Sequence, residues 1–175
     1  ASENVKMMIE RIAHRGPDGN GIQNLDKVTL GHTRLAILDV EGGIQPMGYE
    51  GTWIVFNGEI YNYRELQKTY LPEQNLKTHS DTEVLIHLFR KFGPDFVYLL
   101  DGMFAFVIYQ NGEYLMARDP LGIKPLYYGK GSDGATYFAS EIKALRGLST
   151  DIHEFPAGHW LHSKTGWHRH YDIHA

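Results

Sequence analysis

Four short segments of the sequence group polar side chains at places where core packing gives them no role. The segments are HRGPD at 14–18, TRL at 33–35, NGEIYN at 57–62 and SDTE at 80–83. Three kinds of group recur in them: an arginine, acidic side chains, and an asparagine followed by a glycine. A site for a zwitterionic amino acid needs such groups, because the ligand carries both a carboxylate and an ammonium group.

Five residues would supply these groups. The guanidinium of Arg34 can hold a carboxylate at two points, and the acids Glu59 and Asp81 suit an ammonium group. The side-chain amide of Asn57 and the backbone N–H of Gly58 suit an oxyanion, because both donors are neutral and can be fixed in advance. Glycine also lets the backbone approach a ligand closely.

Each of these signals has an ordinary structural alternative, and the residues alone leave the choice open. Arg34 can point to solvent, as most arginines do. Asn57-Gly58 between hydrophobic segments is the favoured sequence of a type I′ hairpin turn. Ser80 and Asp81, followed by Glu83, also form a plausible helix N-terminus.

The elements that must position these residues follow from hydrophobic periodicity and turn signals. Helices are predicted at 3–13, 63–70 and 81–92, capped by Ser2 and by Ser80 or Asp81. The stretch 41–51 is predicted to be a loop. Strands are predicted at 28–38, 53–56, 104–109, 114–117, 126–128 and 136–139, with turns at 111–112 and 133–134 and a hairpin over 159–171. Early helices and late antiparallel strands predict an α+β fold.

Composition narrows the possible partners. The chain has 17 basic and 21 acidic residues and a net charge of -4, which predicts neither nucleic-acid binding nor an anionic membrane surface. No membrane span or signal peptide is evident, so we expect a cytoplasmic protein. His168, His170 and His174 lack a fixed ligand geometry, and we predict no metal site. There is no cysteine.

The sequence resembles the class II glutamine amidotransferases, and within them the glutaminase domain of asparagine synthetase. The resemblance covers nearly the whole chain, and its motifs run in the family's order. NGE and DGMFAF are shared broadly across the class, whereas RDPLGIKPLYY followed by SEIKAL is similar to asparagine synthetases. The segments are HRGPDG (14–19), RLAILD (34–39), QPM (45–47), FNGEIYN (56–62), SDTE (80–83), LDGMFAF (100–106), RDPLGIKPLYY (118–128), FASEIKAL (138–145) and FPAGHWL (155–161).

This resemblance implies an N-terminal-nucleophile hydrolase fold, a four-layer αββα sandwich of two antiparallel sheets with helices outside. It implies hydrolysis of glutamine to glutamate and ammonia, which passes to a synthetase domain or subunit. Arg34 would bind the α-carboxylate, Glu59 and Asp81 the α-ammonium group, and Asn57 and Gly58 the oxyanion. Backbone contacts to glutamine would come from Leu35, Ile37 and Leu38. No cofactor is expected in this domain, since ATP and Mg²⁺ belong to the synthetase domain.

The sequence departs from the family at its beginning. The family starts with Cys-Gly-Ile on a short strand, whereas this sequence starts at the following helix. We therefore expect residues 1–175 to form one glutaminase-type domain that lacks the nucleophilic cysteine and the first strand. The synthetase domain is also expected to be absent. The missing strand and its connection would amount to roughly fifteen residues. The loss would leave a sheet edge open.

Two functions remain open. In the first, the chain is part of a glutamine-hydrolysing enzyme that could form a homodimer, and the chain is inactive alone. In the second, it is a glutaminase-like binding or regulatory domain without a nucleophile.

Overall fold

The computed structural model describes residues 2–35 and 43–172. Its helices are α1 (Ser2–Arg11), α2 (Tyr63–Tyr70), α3 (Asp81–Phe92) and α4 (Ile142–Leu145), with 3-10 helices at Ala13–Arg15 and Gly93–Leu99. Its strands are β1 (Gly19–Asn24), β2 (Thr29–Arg34), β3 (Met47–Tyr49), β4 (Thr52–Ile60), β5 (Gly102–Gln110), β6 (Glu113–Arg118), β7 (Tyr127–Gly131), β8 (Thr136–Ala139), β9 (Ser149–Glu154), β10 (His159–His162) and β11 (Gly166–Arg169).

A six-stranded antiparallel sheet forms the centre of the fold, in the order β11-β10-β6-β5-β4-β3. Successive side chains on a strand point to opposite faces, so each central strand serves two hydrophobic cores. In β4, Ile54 and Phe56 join the core beneath α2 and α3, whereas Val55 joins the core on the other face. In β5, Phe106 and Val107 divide in the same way.

Two smaller antiparallel sheets cover the second face of this central sheet. One is the hairpin β1-β2, and the other is β8-β7-β9. Leu30 of β2 and Leu126, just before β7, are buried against Val107 and its neighbours in the central sheet. Outside them, α1 and α4 pack on Tyr137 and Ala139 of β8. The layers therefore run helix, sheet, sheet, helix, as predicted.

Most predicted elements are present, with shifted ends. α2 and α3 match their predicted bounds, and the Oγ of Ser80 caps α3 by accepting the Thr82 N–H at 3.1 Å. The two predicted hairpin turns join β5 to β6 and β7 to β8. β1, β3, β9 and α4 were not predicted. Among residues 2–35 and 43–172, no helix has the length and apolar character of a membrane span.

One prediction about the central sheet is wrong in a way that matters for the site. The strand predicted at 53–56 does not end at Asn57-Gly58, because β4 continues to Ile60 and Gly58 lies opposite Phe104 of β5. Gly58 has a φ of 149°, which a residue with a side chain rarely adopts. A Cβ at this position would also overlap the backbone carbonyl of Met103. The glycine therefore allows a strand to continue, and no turn forms here.

Candidate functional site

A cavity of about 700 Å³ lies between the central sheet and the second layer. Its floor includes Val55 and Val107, and α1 covers it with apolar side chains such as Ile9. Its polar end brings together six of the eight residues predicted for the site. These are Arg34, Leu35, Asn57, Gly58, Glu59 and Asp81. The other two, Ile37 and Leu38, lie outside the described residues.

The free edge of β4 supplies one donor of this polar end. β3 pairs only with residues 52–54 of β4, so the later N–H groups on that edge lack a strand partner. The side-chain Oε1 of Gln45 accepts the Phe56 N–H at 2.6 Å, and Oδ2 of Asp81 accepts the Ile60 N–H at 3.0 Å. Strand alternation directs the Gly58 N–H, which lies between them, to the same edge of β4, beyond the residues that pair with β3.

Asn57 supplies a second donor next to the first. Strand alternation places its side chain on the same face of β4 as Val55, towards the gap between the sheets. Its Nδ2 is buried and has no hydrogen-bond partner in the described part of the chain. In the cavity this N–H group is available to an acceptor from outside the described residues. The two adjacent donors match the predicted oxyanion site.

The acidic part of the site comes from the first residue of α3 and the end of β4. Burial raises the pKa of the Asp81 carboxyl, and the nearby carboxylate of Glu59 pushes it in the same direction. Hydrogen bonds from the backbone N–H groups of Ile60, Thr82 and Asp81 itself oppose this rise. Two carboxylates close enough to repel each other form a place where a cation is stabilised.

A buried acid fixes the loop that leads to Asp81. The carboxylate of Glu83 accepts the N–H of Lys77 at 2.9 Å, and the N–H and hydroxyl of Thr78 at 2.7 and 2.6 Å. Glu83 is 5% exposed. The sequence suggested Glu83 only as part of a helix N-terminus. Its place in the structure is to hold residues 77–78 against α3.

Arg34 is the last residue of β2 and is half-buried at the cavity. Arg34 takes part in an interaction within the protein. Leu35 follows it at the mouth and is 56% exposed. The structure therefore places the predicted carboxylate-binding residue in the same cavity as the predicted ammonium-binding acids.

Sequence reasoning missed His32, which also lines the cavity. Burial lowers its pKa, Arg34 acts in the same direction, and the backbone of Phe56 opposes the change by a hydrogen bond. Its Nδ1 is buried without a partner among the residues described. The available signal was strand alternation, because His32 lies two residues before Arg34 and therefore on the same face of β2.

The cavity continues as a slot between two unpaired strand edges. β2 pairs only with β1, and β8 pairs only with β7, in the described part of the chain. Both strands line the cavity. α1 bridges the slot, since Asn4 Nδ2 donates to the Tyr137 hydroxyl at 2.8 Å and Arg11 Nη1 donates to the Arg146 carbonyl at 2.6 Å. Apart from the isolated bridge between Arg34 and Pro17, β2 and β8 therefore each have one edge without a strand partner among the described residues.

The RDPLGIKP motif has a structural role beside the cavity. Asp119 is completely buried and its carboxylate accepts the N–H groups of Leu121, Ile123, Lys124 and, from β5, Phe104. The loop after β6 is therefore folded around one carboxylate. Because Phe104 lies opposite Gly58, this loop also supports Asn57-Gly58, the oxyanion segment, from the far side of β5.

The histidines near the end of the chain make structural contacts. The ring of His168 stacks on Trp160 with centroids 3.9 Å apart, and His170 Nε2 lies 2.9 Å from the carbonyl oxygen of Arg118. His174 lies outside the described residues. Across the ranges 2–35 and 43–172, no group of three histidine or acidic side chains is arranged to hold a metal ion.

Comparison with known proteins gives a consistent family. The family described as "Glutamine amidotransferase domain" matches residues 1–159. A probable glutamine-hydrolysing asparagine synthetase from Dictyostelium discoideum is 45% identical over 161 residues, which is 89% of this chain and 29% of that protein. Glutamine-hydrolysing asparagine synthetase B from Escherichia coli (strain K12) is 45% identical over 162 residues, which is 90% of this chain and 29% of that protein.

A solved structure has the same fold. Glutamine phosphoribosylpyrophosphate amidotransferase from B. subtilis, complexed with ADP and GMP, matches 98% of this chain and 47% of its own with a TM-score of 0.81 and 25% identity. The predicted N-terminal-nucleophile hydrolase fold is confirmed by this similarity. The chain spans 29% of the length of the two curated relatives. Because the family match includes every described residue of the cavity, the chain belongs to the glutamine amidotransferase domain family.

Proposed function

We propose that this chain binds L-glutamine in the cavity and provides the glutaminase part of an enzyme that transfers the amide nitrogen of glutamine. The observation that carries the proposal is the buried, unpartnered amide of Asn57 beside the Gly58 N–H on the free edge of β4, in one cavity with Arg34 and the two acids. This set matches the three polar parts of glutamine: its α-carboxylate, its α-ammonium group and its side-chain amide.

Each part of glutamine has a partner in this proposal. The guanidinium of Arg34 binds the α-carboxylate through charge-assisted hydrogen bonds. Asp81 and Glu59 bind the α-ammonium group, and its positive charge favours the ionised form of Asp81 that burial disfavours. The donors of Asn57 and Gly58 bind the oxyanion that develops when the side-chain amide carbon is attacked. Hydrolysis then yields glutamate and ammonia.

The 175 residues contain no cysteine, so a thiol for this reaction must come from another segment. Such a segment could lie in the slot, where it would pair the free edges of β2 and β8.

The strand directions define how such a segment would lie. β2 runs towards Arg34, and Gly16 packs against the backbone of that residue. β8 runs towards Glu141, whose carboxylate lies 3.3 Å from Arg15 Nη1 in the same corner. Because β2 and β8 run in the same direction, one antiparallel strand between them would complete the sheet. Its first residue would lie at the end that contains Arg34 and Asn57.

We therefore propose that a segment outside these residues supplies an N-terminal cysteine at that end. Its α-amino group would take the thiol proton, the thiolate would attack the amide carbon, and the same proton would pass to the nitrogen as the C–N bond breaks and ammonia leaves. Water would then hydrolyse the thioester to glutamate and restore the thiol. The ammonia would pass to a synthetase domain or subunit, where ATP and Mg²⁺ would be used. Assembly as a homodimer remains a prediction.

Binding is tested by calorimetric titration of the 175-residue chain with L-glutamine and with D-glutamine. We expect L-glutamine to bind and Arg34→Ala to weaken it about 10- to 100-fold, since hydrogen bonds to charged groups contribute about 1.5–3 kcal/mol each. Arg169→Ala is the matched control, because Arg169 is exposed on β11 and paired with Asp172. Equal affinities for the chain and Arg34→Ala would remove Arg34 from the site.

Hydrolysis is tested by adding a synthetic peptide with an N-terminal cysteine followed by alternating apolar residues. We expect ammonia release from glutamine with this peptide and none with its serine counterpart. A chain that binds both glutamine and the peptide without releasing ammonia would support the alternative, a glutamine-binding domain without a nucleophile.

A further inference from the structure

The QPM motif acquires a specific place in the structure, although its residue types alone indicate no role for it. Met47 lies opposite Ile54 where β3 pairs with β4. Continuing this register by two residues would place Gln45 opposite Phe56, and by four residues Gly43 opposite Gly58. The ladder stops at Met47, so the Phe56 N–H has no backbone acceptor in β3.

Gln45 takes over with its side chain what the ladder no longer provides. Its Oε1 accepts the Phe56 N–H at 2.6 Å, the distance of a strong hydrogen bond. The backbone of Gln45 is also held in place, since Gly21 of β1 packs directly against its carbonyl oxygen and lies close to Pro46. Gln45 therefore connects β1 to the edge of β4 immediately before the oxyanion segment.

Two side chains contact the backbone of Phe56. The Gln45 side chain binds its N–H, and the ring of His32 interacts with its backbone from the second layer. Asp81 binds the N–H of Ile60. The N–H groups of Phe56, Gly58 and Ile60 follow one another along this edge of β4. Side chains bind the first and the last, and among the described residues that of Gly58 stays available.

We propose that Gln45 is a positioning residue for recognition of the glutamine side chain. It holds the backbone at Phe56, and so fixes the Asn57 amide and the Gly58 N–H at the distance that the amide oxygen of the ligand requires. It does not contact the α-carboxylate or the α-ammonium group. This inference rests on the proposed function, because it assigns the side-chain half of the same site.

The test uses two ligands that differ only in the group that Gln45 positions. L-glutamine and L-norvaline share their α-groups, but norvaline has no side-chain amide. The 175-residue chain is titrated with both, as are Gln45→Met, which removes the acceptor, and Gln45→Glu, which keeps it. Using the ratio of the two affinities cancels any effect of the added charge on the shared α-groups.

We expect Gln45→Met to lower the ratio about three- to tenfold, the equivalent of one hydrogen bond, and Gln45→Glu to preserve it. A ratio unchanged in Gln45→Met would overturn the proposal, as would equal weakening of both ligands, which a purely structural role predicts. Failure of the unaltered chain to bind glutamine would contradict the proposed function instead.

Amide hydrogen exchange tests the same residue without a ligand. We expect Gln45→Met to accelerate exchange at Phe56 and to leave Ile60 unchanged, because Asp81 still holds the Ile60 N–H. Unchanged exchange at Phe56 would show that Gln45 does not fix this backbone, and would overturn the proposal whatever the titrations show.

Discussion

Replacing Gly58 by alanine tests whether the oxyanion segment lies inside a strand or in a turn. In the structure Gly58 has a φ of 149°, and an added Cβ would overlap the Met103 carbonyl and lie 2.8 Å from the Phe104 Cα. Backbone atoms of a central strand cannot move aside without disturbing the β4–β5 ladder. The substitution therefore combines backbone strain with overpacking.

Gly51 separates these two costs. It has a φ of 80°, and no atom lies within 4 Å of the position that an added Cβ would occupy, so Gly51→Ala carries strain alone. We expect Gly51→Ala to destabilise by about 1–2 kcal/mol, the cost of a left-handed conformation. Gly58→Ala should lose about 1–3 kcal/mol more, the usual cost of overpacking.

Urea denaturation of the chain and both variants measures the difference directly, provided that the slopes agree. Equal losses for Gly51→Ala and Gly58→Ala would mean that nothing crowds Gly58. The close contact between β4 and β5 at this position would then be wrong, and the hairpin-turn interpretation of Asn57-Gly58 would return.

Two further predictions concern α3. Glu83→Ala should destabilise by about 2–4 kcal/mol because it leaves the donors of Lys77 and Thr78 without their acceptor. The control Glu73→Ala, at an exposed residue, should change stability by less than about 0.5 kcal/mol in the same urea assay. Equal effects of the two substitutions would contradict the role of Glu83. For Asp81, burial raises the pKa above its usual 3.8, so stability that is present below that value is lost as pH rises through the raised pKa. Asp81→Asn should remove this loss, so urea denaturation should show the variant gaining stability relative to the unaltered chain between about pH 4 and pH 7. The variant should also lose glutamine binding. A stability difference that does not change with pH would refute the raised pKa of Asp81.

The sequence predicted those parts of the fold that depend on local pattern. Helix α3 was correct to the residue because its apolar face, its Ser80 cap and its acidic first turn all agree. β1 was missed because GNGIQN has almost no apolar side chains, and only pairing with β2 makes it a strand. β4 was predicted too short because Asn-Gly usually ends a strand, and long-range pairing with β5 overrides that preference here.

The candidate site divides along the same line. Side chains proposed to bind the ligand, such as Arg34 and Asp81, differ in type from their surroundings and could be predicted from the sequence to lie at one site. Residues that hold the backbone around them could not. Gln45 and Glu83 act on main-chain N–H groups several residues or a whole strand away, and nothing in their own neighbourhood indicates that partner.

The location of the site follows from where the sheet stops pairing. A backbone N–H inside a sheet is already committed to its ladder, so it cannot bind a ligand. Where β4 runs past Met47 of β3, its N–H groups on that edge no longer have a strand partner. Each of them must be bound by another part of the chain or remain available to a ligand. Gln45 and Asp81 satisfy two of them, which costs nothing to binding and keeps the strand straight. The donor at Gly58 remains, on a rigid strand, where glycine allows close approach. A preorganised oxyanion site of this kind needs no special turn, only a strand whose neighbour ends early.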